Sequence, residues 1–374
     1  MPLKEDSWLL NPSILHPMGG CTWKRFWQEY RANRPYNWKS LPSRLLSMLS
    51  VPFRAPAIML EKRRHGDAIR KHELGAPPVF IIGHWRSGTT HLHNLLSLDP
   101  QFAFLSFLQT AMPHDFLSAN WFTRGLMKAT MPKTRGMDNM AIAIDLPQEE
   151  EIALGILSGI SCFKCFYFPQ NLRQHLVQSI LLEDITAEQL LEFKDAYVHL
   201  VKKVSYAAEG TRPVLFKNPA STSRIRLLLE LFPDARFVHI VRNPHDVYHS
   251  MEKMWRRMES GFSWQNSQDV DFTEAIFEAY EMLMTRYLRD RESVPAGQLV
   301  EIHYEDLDRS PVETIDSIYE GLALAGRDDA RVRVAEETAK LAGYQKNQHP
   351  DDPAIREKVA ERWAFAFEAF GYSP

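Results

Sequence analysis

The eight residues Gly83-His84-Trp85-Arg86-Ser87-Gly88-Thr89-Thr90 combine two glycines, one guanidinium and three hydroxyls. The apolar run Val79-Phe80-Ile81-Ile82 precedes them, and Thr89 to Leu98 shows helical spacing after them. The predicted order is strand, glycine-bounded turn, helix. Glycines let the N–H groups of such a turn converge, and the helix N-terminus adds partial positive charge, so the loop suits an anion. An incidental glycine turn is the lesser reading, because strand and helix both flank the loop.

Two further cations fall where they can join it. Val214–Lys217 and Phe237–Val241 read as buried strands; Lys217 ends the first and Arg242 follows the second. Ligands of open parallel sheets collect at the carboxyl ends of strands. Ser250 lies eight residues past Arg242, on a helix opened by Asn243-Pro244, where its hydroxyl can share a phosphate with that arginine. Each cation alone would more often make a surface salt bridge. Arg86, Lys217 and Arg242 together favour an anion site, with guanidinium forks and one mobile ammonium. The loop looks built for a single 5′-phosphate-type group and not for a triphosphate. The loop has the Gly-x4-Gly spacing of a Walker loop, but Thr89 stands where that loop has lysine. Arg242 likewise stands where the second Walker strand ends in aspartate. The γ-phosphate clamp and the magnesium carboxylate are thus both missing. A P-loop nucleotide kinase, sensitive to EDTA, is the second reading.

Arg86-Ser87-Gly88-Thr89-Thr90 resembles the 5′-phosphosulfate loop of the sulfotransferase superfamily, and Arg242 with Ser250 resembles its 3′-phosphate element. Leu231 to Pro244 is similar to that element almost throughout, as is Tyr304-Glu305-Asp306-Leu307 to a later strand and helix. The resemblance runs from about residue 76 to the C-terminus. It implies transfer of a sulfuryl group from 3′-phosphoadenosine 5′-phosphosulfate (PAPS) to a hydroxyl or amine. Adenosine 3′,5′-bisphosphate would be the product, and no metal would be needed. It implies that Arg86, Ser87, Gly88, Thr89 and Thr90 hold the 5′ end, that Arg242 and Ser250 hold the 3′-phosphate, and that Arg86 and Lys217 neutralise the leaving phosphate. Lys346, in the polar turn Gly343 to His349, matches a late loop with which the family covers the nucleotide.

An acceptor oxygen also needs a base. Where many family members have a histidine, two residues past the lysine, this chain has Pro219; where others have a glutamate, it has Ser106 and Phe107. The remaining candidates are Glu149, Glu150 and Glu151. Their run, Pro147-Gln148-Glu149-Glu150-Glu151, is similar to the P-Q-E-[DE]-E of a bacterial-type branch. Successive helical residues step about 100° around the axis, so three adjacent carboxylates cannot all face one pocket. Glu149 ranks first, His114 is the reserve, and His84 ranks behind it. The plain alternative is negative charge at a helix N-terminus, which the macrodipole favours. Loss of the base would leave a third reading, a non-catalytic nucleotide-binding protein that retains the fold.

Strands alternating with helices predict an α/β protein, a mostly parallel sheet covered on both faces. The chain has 374 residues, 45% hydrophobic and 24% charged, with 44 basic against 47 acidic side chains for a net −3. That balance argues against a nucleic-acid partner and requires any anion to be held locally. The acidic start and the lack of a long apolar window predict neither signal peptide nor membrane span. Three cysteines, with one C-x-x-C at Cys162 and Cys165, fit buried thiols in a reducing cytoplasm. The texture divides the chain into an N-terminal helical extension, 1–75, and a sulfotransferase-like α/β domain, 76–374. Within residues 40–65, the apolar stretch Leu45 to Phe53 beside Arg44 and Arg54 reads as a membrane-surface helix would. A layer packed on the core is preferred there, because Pro52 and Pro56 are expected to interrupt a helix. Aromatic residues such as Trp85, Phe116, Phe163 and Tyr167 suggest a small hydrophobic or lipid-like acceptor. No oligomeric state is legible.

Overall fold

Strands β1 (Val79–Ile82), β2 (Ala103–Phe104), β3 (Val214–Lys217), β4 (Arg236–Val241) and β5 (Leu299–His303) form one parallel sheet. Its order is β2-β3-β1-β4-β5. The structure is a computed structural model that describes residues 16–130, 143–341 and 352–374. The expected fold class, a mostly parallel sheet flanked by helices, is the one adopted. β1 is central and buried on both faces, which is why it reads as an unbroken apolar run and not as an alternation. Its register sets Ile81 beside Lys217 on one side and Val238 on the other.

The chain folds as two compact units, each discontinuous in sequence. The sheet belongs to the unit made of Leu74–Phe104, Ala208–Lys253 and Phe272–Pro374. One core cluster there packs Leu92 and Leu95 from the helix Thr89–Leu96, and Ile315 and Ile318 from Pro311–Gly321, against Val79, Ile81 and Ile240 of the sheet. Phe80 stacks on Phe237 at 5.8 Å. Farther along the unit, Tyr280 stacks on Trp363 at 3.8 Å. Arg362 grips Glu281 with two bonds of 2.7 Å, a fork-to-carboxylate geometry.

The other unit comprises Met1–Glu73, Leu105–Ala207 and Met254–Asp271, and its described residues are mainly helical. His16 stacks on Trp264 at 4.3 Å, and Trp264 donates its indole N–H to Ser43 at 3.1 Å. Glu61 and Lys203 form an ion pair whose side chains are 3% and 1% exposed. Lys203 also donates to the Pro113 carbonyl at 2.7 Å and lies 4.1 Å from the centre of the Phe116 ring. Burial lowers the Lys203 pKa, and Glu61 opposes that shift.

The helix Leu41–Lys71 corrects one expectation: it runs through Pro52 and Pro56 without a break. The two prolines are spaced four apart, so the hydrogen bonds they remove lie on one face, and both prolines are exposed on it. The opposite face keeps its bonds and its packing.

Buried histidines set the acid response. Burial holds His16, His84 and His114 down to about 3 and His199 to about 4, from the usual 6.5. The unfolded chain takes up these protons near pH 6.5, and the folded chain does so only near pH 3–4. Stability is therefore fully present above about pH 6.5 and falls below it, by about 1.4 kcal/mol per pH unit for each such histidine. Urea midpoints at pH 7.5, 6 and 5 should decline in that order. A flat series contradicts the assignment.

Candidate active site

The loop after β1 is shaped by backbone that only certain residues tolerate. Gly83 has φ 143°, and a Cβ there would come within 2.3 Å of the Ile240 carbonyl oxygen. Gly88 has φ 98° and caps the helix Thr89–Leu96. A Cβ on Gly88 would come within 2.4 Å of the Tyr304 ring. Inside the turn, Ser87 donates its hydroxyl to the His84 carbonyl at 2.7 Å. The Gly83 N–H is taken by the Thr222 hydroxyl at 2.7 Å. Arg86 itself has a left-handed φ of 70°, a conformation that costs an L-residue about 1–2 kcal/mol.

This conformation turns Arg86 toward the second element. Its Nε donates to Ser250 Oγ at 2.8 Å. Arg242 donates to the Arg86 carbonyl at 3.2 Å, pairs with Asp246 at 3.3 Å and stands 4.5 Å above the Tyr304 ring. Arg86, Arg242 and Ser250, predicted from separate stretches, are thus one linked group. The next turn is fixed by Glu305, which accepts from the Asn243 N–H at 3.2 Å and from Tyr372 at 2.7 Å.

Lys217 ends β3 and is only 2% exposed. Its charge acts on His93, which burial already pushes well below the usual imidazole range. Thr89 is buried and Thr90 partly exposed, both on the first turn of the helix that points its N-terminus into the loop. Sequence reasoning missed Thr222 and Tyr304. Each had a signal: a run of hydroxyls, Ser221-Thr222-Ser223, just past Lys217, and the tyrosine that opens Tyr304-Glu305-Asp306-Leu307.

The three acidic candidates lie in the helical unit, where Glu150 precedes and Glu151 begins the helix Glu151–Ser158. Their surroundings differ. Glu150 is fully buried and accepts from the Tyr197 hydroxyl at 2.7 Å. Glu151 is 1% exposed and accepts from the Cys162 N–H at 2.7 Å. Glu149 is the most accessible of the three, at 8%. Burial raises the pKa of Tyr167, with Cys21, Glu149 and Glu151 adding to the shift, and its buried hydroxyl has no hydrogen-bond partner. Tyr167 lines a small cleft with Met18, Ile152, Ile156 and the Lys164–Glu29 ion pair on its walls.

His114 is held neutral by burial, with Arg54 and Lys203 adding to the shift, which leaves it a weak base. His84 donates from Nδ1 to the Trp85 carbonyl at 2.8 Å and packs on Tyr280, while its buried Nε2 has no partner. Lys346 lies outside the described residues.

Gly88→Ala tests the loop. The new methyl meets a Tyr304 ring already packed under Arg242, and alanine resists the positive φ. Affinity for adenosine 3′,5′-bisphosphate should fall about tenfold or more by calorimetry. An unchanged affinity would place the nucleotide elsewhere.

A sequence profile described as the Sulfotransferase family matches residues 77–329. The chain belongs to the sulfotransferase family and is an enzyme of that class. It is 30% identical over 307 residues to the omega-hydroxy-beta-dihydromenaquinone-9 sulfotransferase Stf3 of Mycobacterium bovis and of Mycobacterium tuberculosis; the match covers 82% of this chain and 78% of either relative. Among solved structures it is similar to sulfotransferase STF9 from Mycobacterium avium, at TM-score 0.67 and 17% identity over 89% of this chain and 86% of that one. It is also similar to sulfotransferase STF1 from Mycobacterium tuberculosis, at TM-score 0.65 and 17% identity over 96% and 94%. At that identity the two structures establish the fold. Among the described residues, no helix is long and apolar enough to cross a membrane, and no group of acidic, histidine and cysteine side chains has the makings of a metal site.

Proposed function

We propose that residues 76–374, with 1–75 as an N-terminal extension, use PAPS to sulfate the hydroxyl of a hydrophobic, lipid-like acceptor. The observation that carries this reading is the linked group of Arg86, Arg242 and Ser250 around a loop whose glycines admit no side chain. Such a cradle, with cations at strand ends, fits two phosphates held apart by a nucleoside. PAPS supplies the activated sulfuryl group. Ser87, Gly88, Thr89, Thr90 and Arg86 hold its 5′ end through loop amides, hydroxyls and the guanidinium. Arg242 and Ser250, and Lys346 from the late turn, hold the 3′-phosphate. Lys217 and Arg86 stabilise negative charge on the departing phosphate, the preorganised electrostatics such transfers need.

Glu149, the most accessible of the three carboxylates, takes the acceptor proton. The aromatic residues Trp85, Phe116, Phe163 and Tyr167 favour a hydrophobic acceptor. The Stf3 relatives are named for a dihydromenaquinone acceptor, which fits the same class. The test is transfer of labelled sulfate from PAPS to a panel of long-chain and prenyl alcohols with EDTA present. Turnover should survive EDTA, and Glu149→Gln should lower kcat about 10²-fold or more while leaving bisphosphate affinity intact. Loss of activity in EDTA with ATP turnover would return the kinase reading. Bisphosphate binding without transfer to any acceptor would return the non-catalytic one.

A further inference from the structure

Over its first part the helix Leu41–Lys71 turns its apolar side outward: between residues 41 and 60, every exposed residue is apolar. Leu45 is 45% exposed, Leu49 62%, Phe53 78%, Met59 56% and Leu60 41%. At 3.6 residues per turn these five fall within an arc of about 120°. The opposite face carries the buried Ser47, Val51 and Glu61. The two arginines of the stretch are drawn off this face: Arg44 donates to Ser40 at 3.1 Å and to Tyr30 at 2.9 Å, and Arg54 pairs with Asp115. A contiguous wet apolar strip of this kind marks an interaction site.

Charge identifies the occupant. At one end of the strip stand exposed Trp38 and Lys39; at the other stand exposed Lys62, Arg63 and Arg64, then Asp67, Arg70 and Lys71. That is six exposed cations against one acid, in a chain whose net charge is −3. Apolar side chains bounded by an aromatic ring and basic residues match a bilayer surface with anionic headgroups. A second copy paired across a two-fold axis would bring these basic flanks against each other. We propose that the helix Leu41–Lys71 docks the enzyme flat on an anionic membrane, with Leu49 and Phe53 entering the acyl boundary. This stands apart from the acceptor reading, since docking needs neither PAPS nor turnover.

The test uses the full chain and sedimentation with vesicles of phosphatidylcholine, alone or with about one third phosphatidylglycerol. The protein should partition onto the anionic vesicles, less so at high salt. L49E/F53E should lower the partition coefficient about tenfold or more, and R63E/R64E should remove much of the preference for phosphatidylglycerol. All four positions are exposed, so melting temperature and bisphosphate affinity should hold. The proposal is overturned if the wild type ignores anionic vesicles or if L49E/F53E partitions as well as wild type. It is also overturned if the wild type is a dimer by light scattering that L49E/F53E dissociates, because a second copy would then cover the face.

Discussion

Arg86→Ala and Lys217→Ala are each expected to lower kcat for sulfuryl transfer by about 10²–10³, the cost of losing one preorganised donor at a developing charge. The two should differ in KM. The Arg86 side chain bonds Ser250, so its loss loosens the group assigned to the 3′-phosphate, while the backbone carbonyl that Arg242 reaches stays in place. KM for PAPS should rise and bisphosphate affinity should fall along with kcat. Lys217 comes from a buried strand end on the other side of β1, so Lys217→Ala should act on kcat with a smaller change in bisphosphate affinity. Lysine at position 86 should restore little, because one ammonium cannot reproduce the fork that reaches Ser250. Steady-state kinetics with calorimetry on the same preparations separates these effects. Near-normal turnover in either alanine variant refutes its role.

Glu61→Ala or Lys203→Ala should each destabilise the protein by about 3–5 kcal/mol, the usual cost of orphaning one partner of a buried ion pair. The pair is almost fully buried. In Glu61→Ala, the ammonium keeps the Pro113 carbonyl but loses its counter-charge, and Ser118 loses the carboxylate that accepts its N–H at 2.9 Å. In Lys203→Ala the carboxylate is stranded, and the lysine stem no longer covers Phe116. The double variant Glu61→Leu/Lys203→Met removes both charges at similar volume and should recover much of the loss. Urea unfolding of the three variants decides the matter. A double variant as unstable as the sum of the singles would mean the sites do not interact.

The glycine-bounded loop after β1 and the two strand ends beside it were legible because they obey backbone rules. A buried parallel strand is a short apolar run, and a turn that must admit an anion needs glycine at set positions. Side-chain traffic between distant stretches was not legible. Nothing local to Glu149-Glu150-Glu151 reveals that Tyr197 takes one carboxylate and the Cys162 amide another. Thr222 and Tyr304 left only a faint local trace, because they meet Gly83 and Gly88 only after the sheet has formed. At Leu41–Lys71 the apolar spacing was visible, but helical periodicity does not say which face is wet. The prolines, taken as breaks, mark the outer face of an intact helix.

The strand order has a consequence for how the protein is made. Both partners of β1 arrive late, β3 from residue 214 and β4 from residue 236, while β1 ends at residue 82. During synthesis Val79-Phe80-Ile81-Ile82 leaves the ribosome with no strand to pair with. At about 5–20 residues per second, it waits roughly seven to twenty-five seconds for one. The loop from Gly83 to Gly88 is attached to that strand and cannot take shape before its flanking strands do. The enzyme's most apolar strand is therefore also its longest-exposed one. Its yield in a cell should depend on chaperone capacity and growth temperature more than its equilibrium stability would suggest.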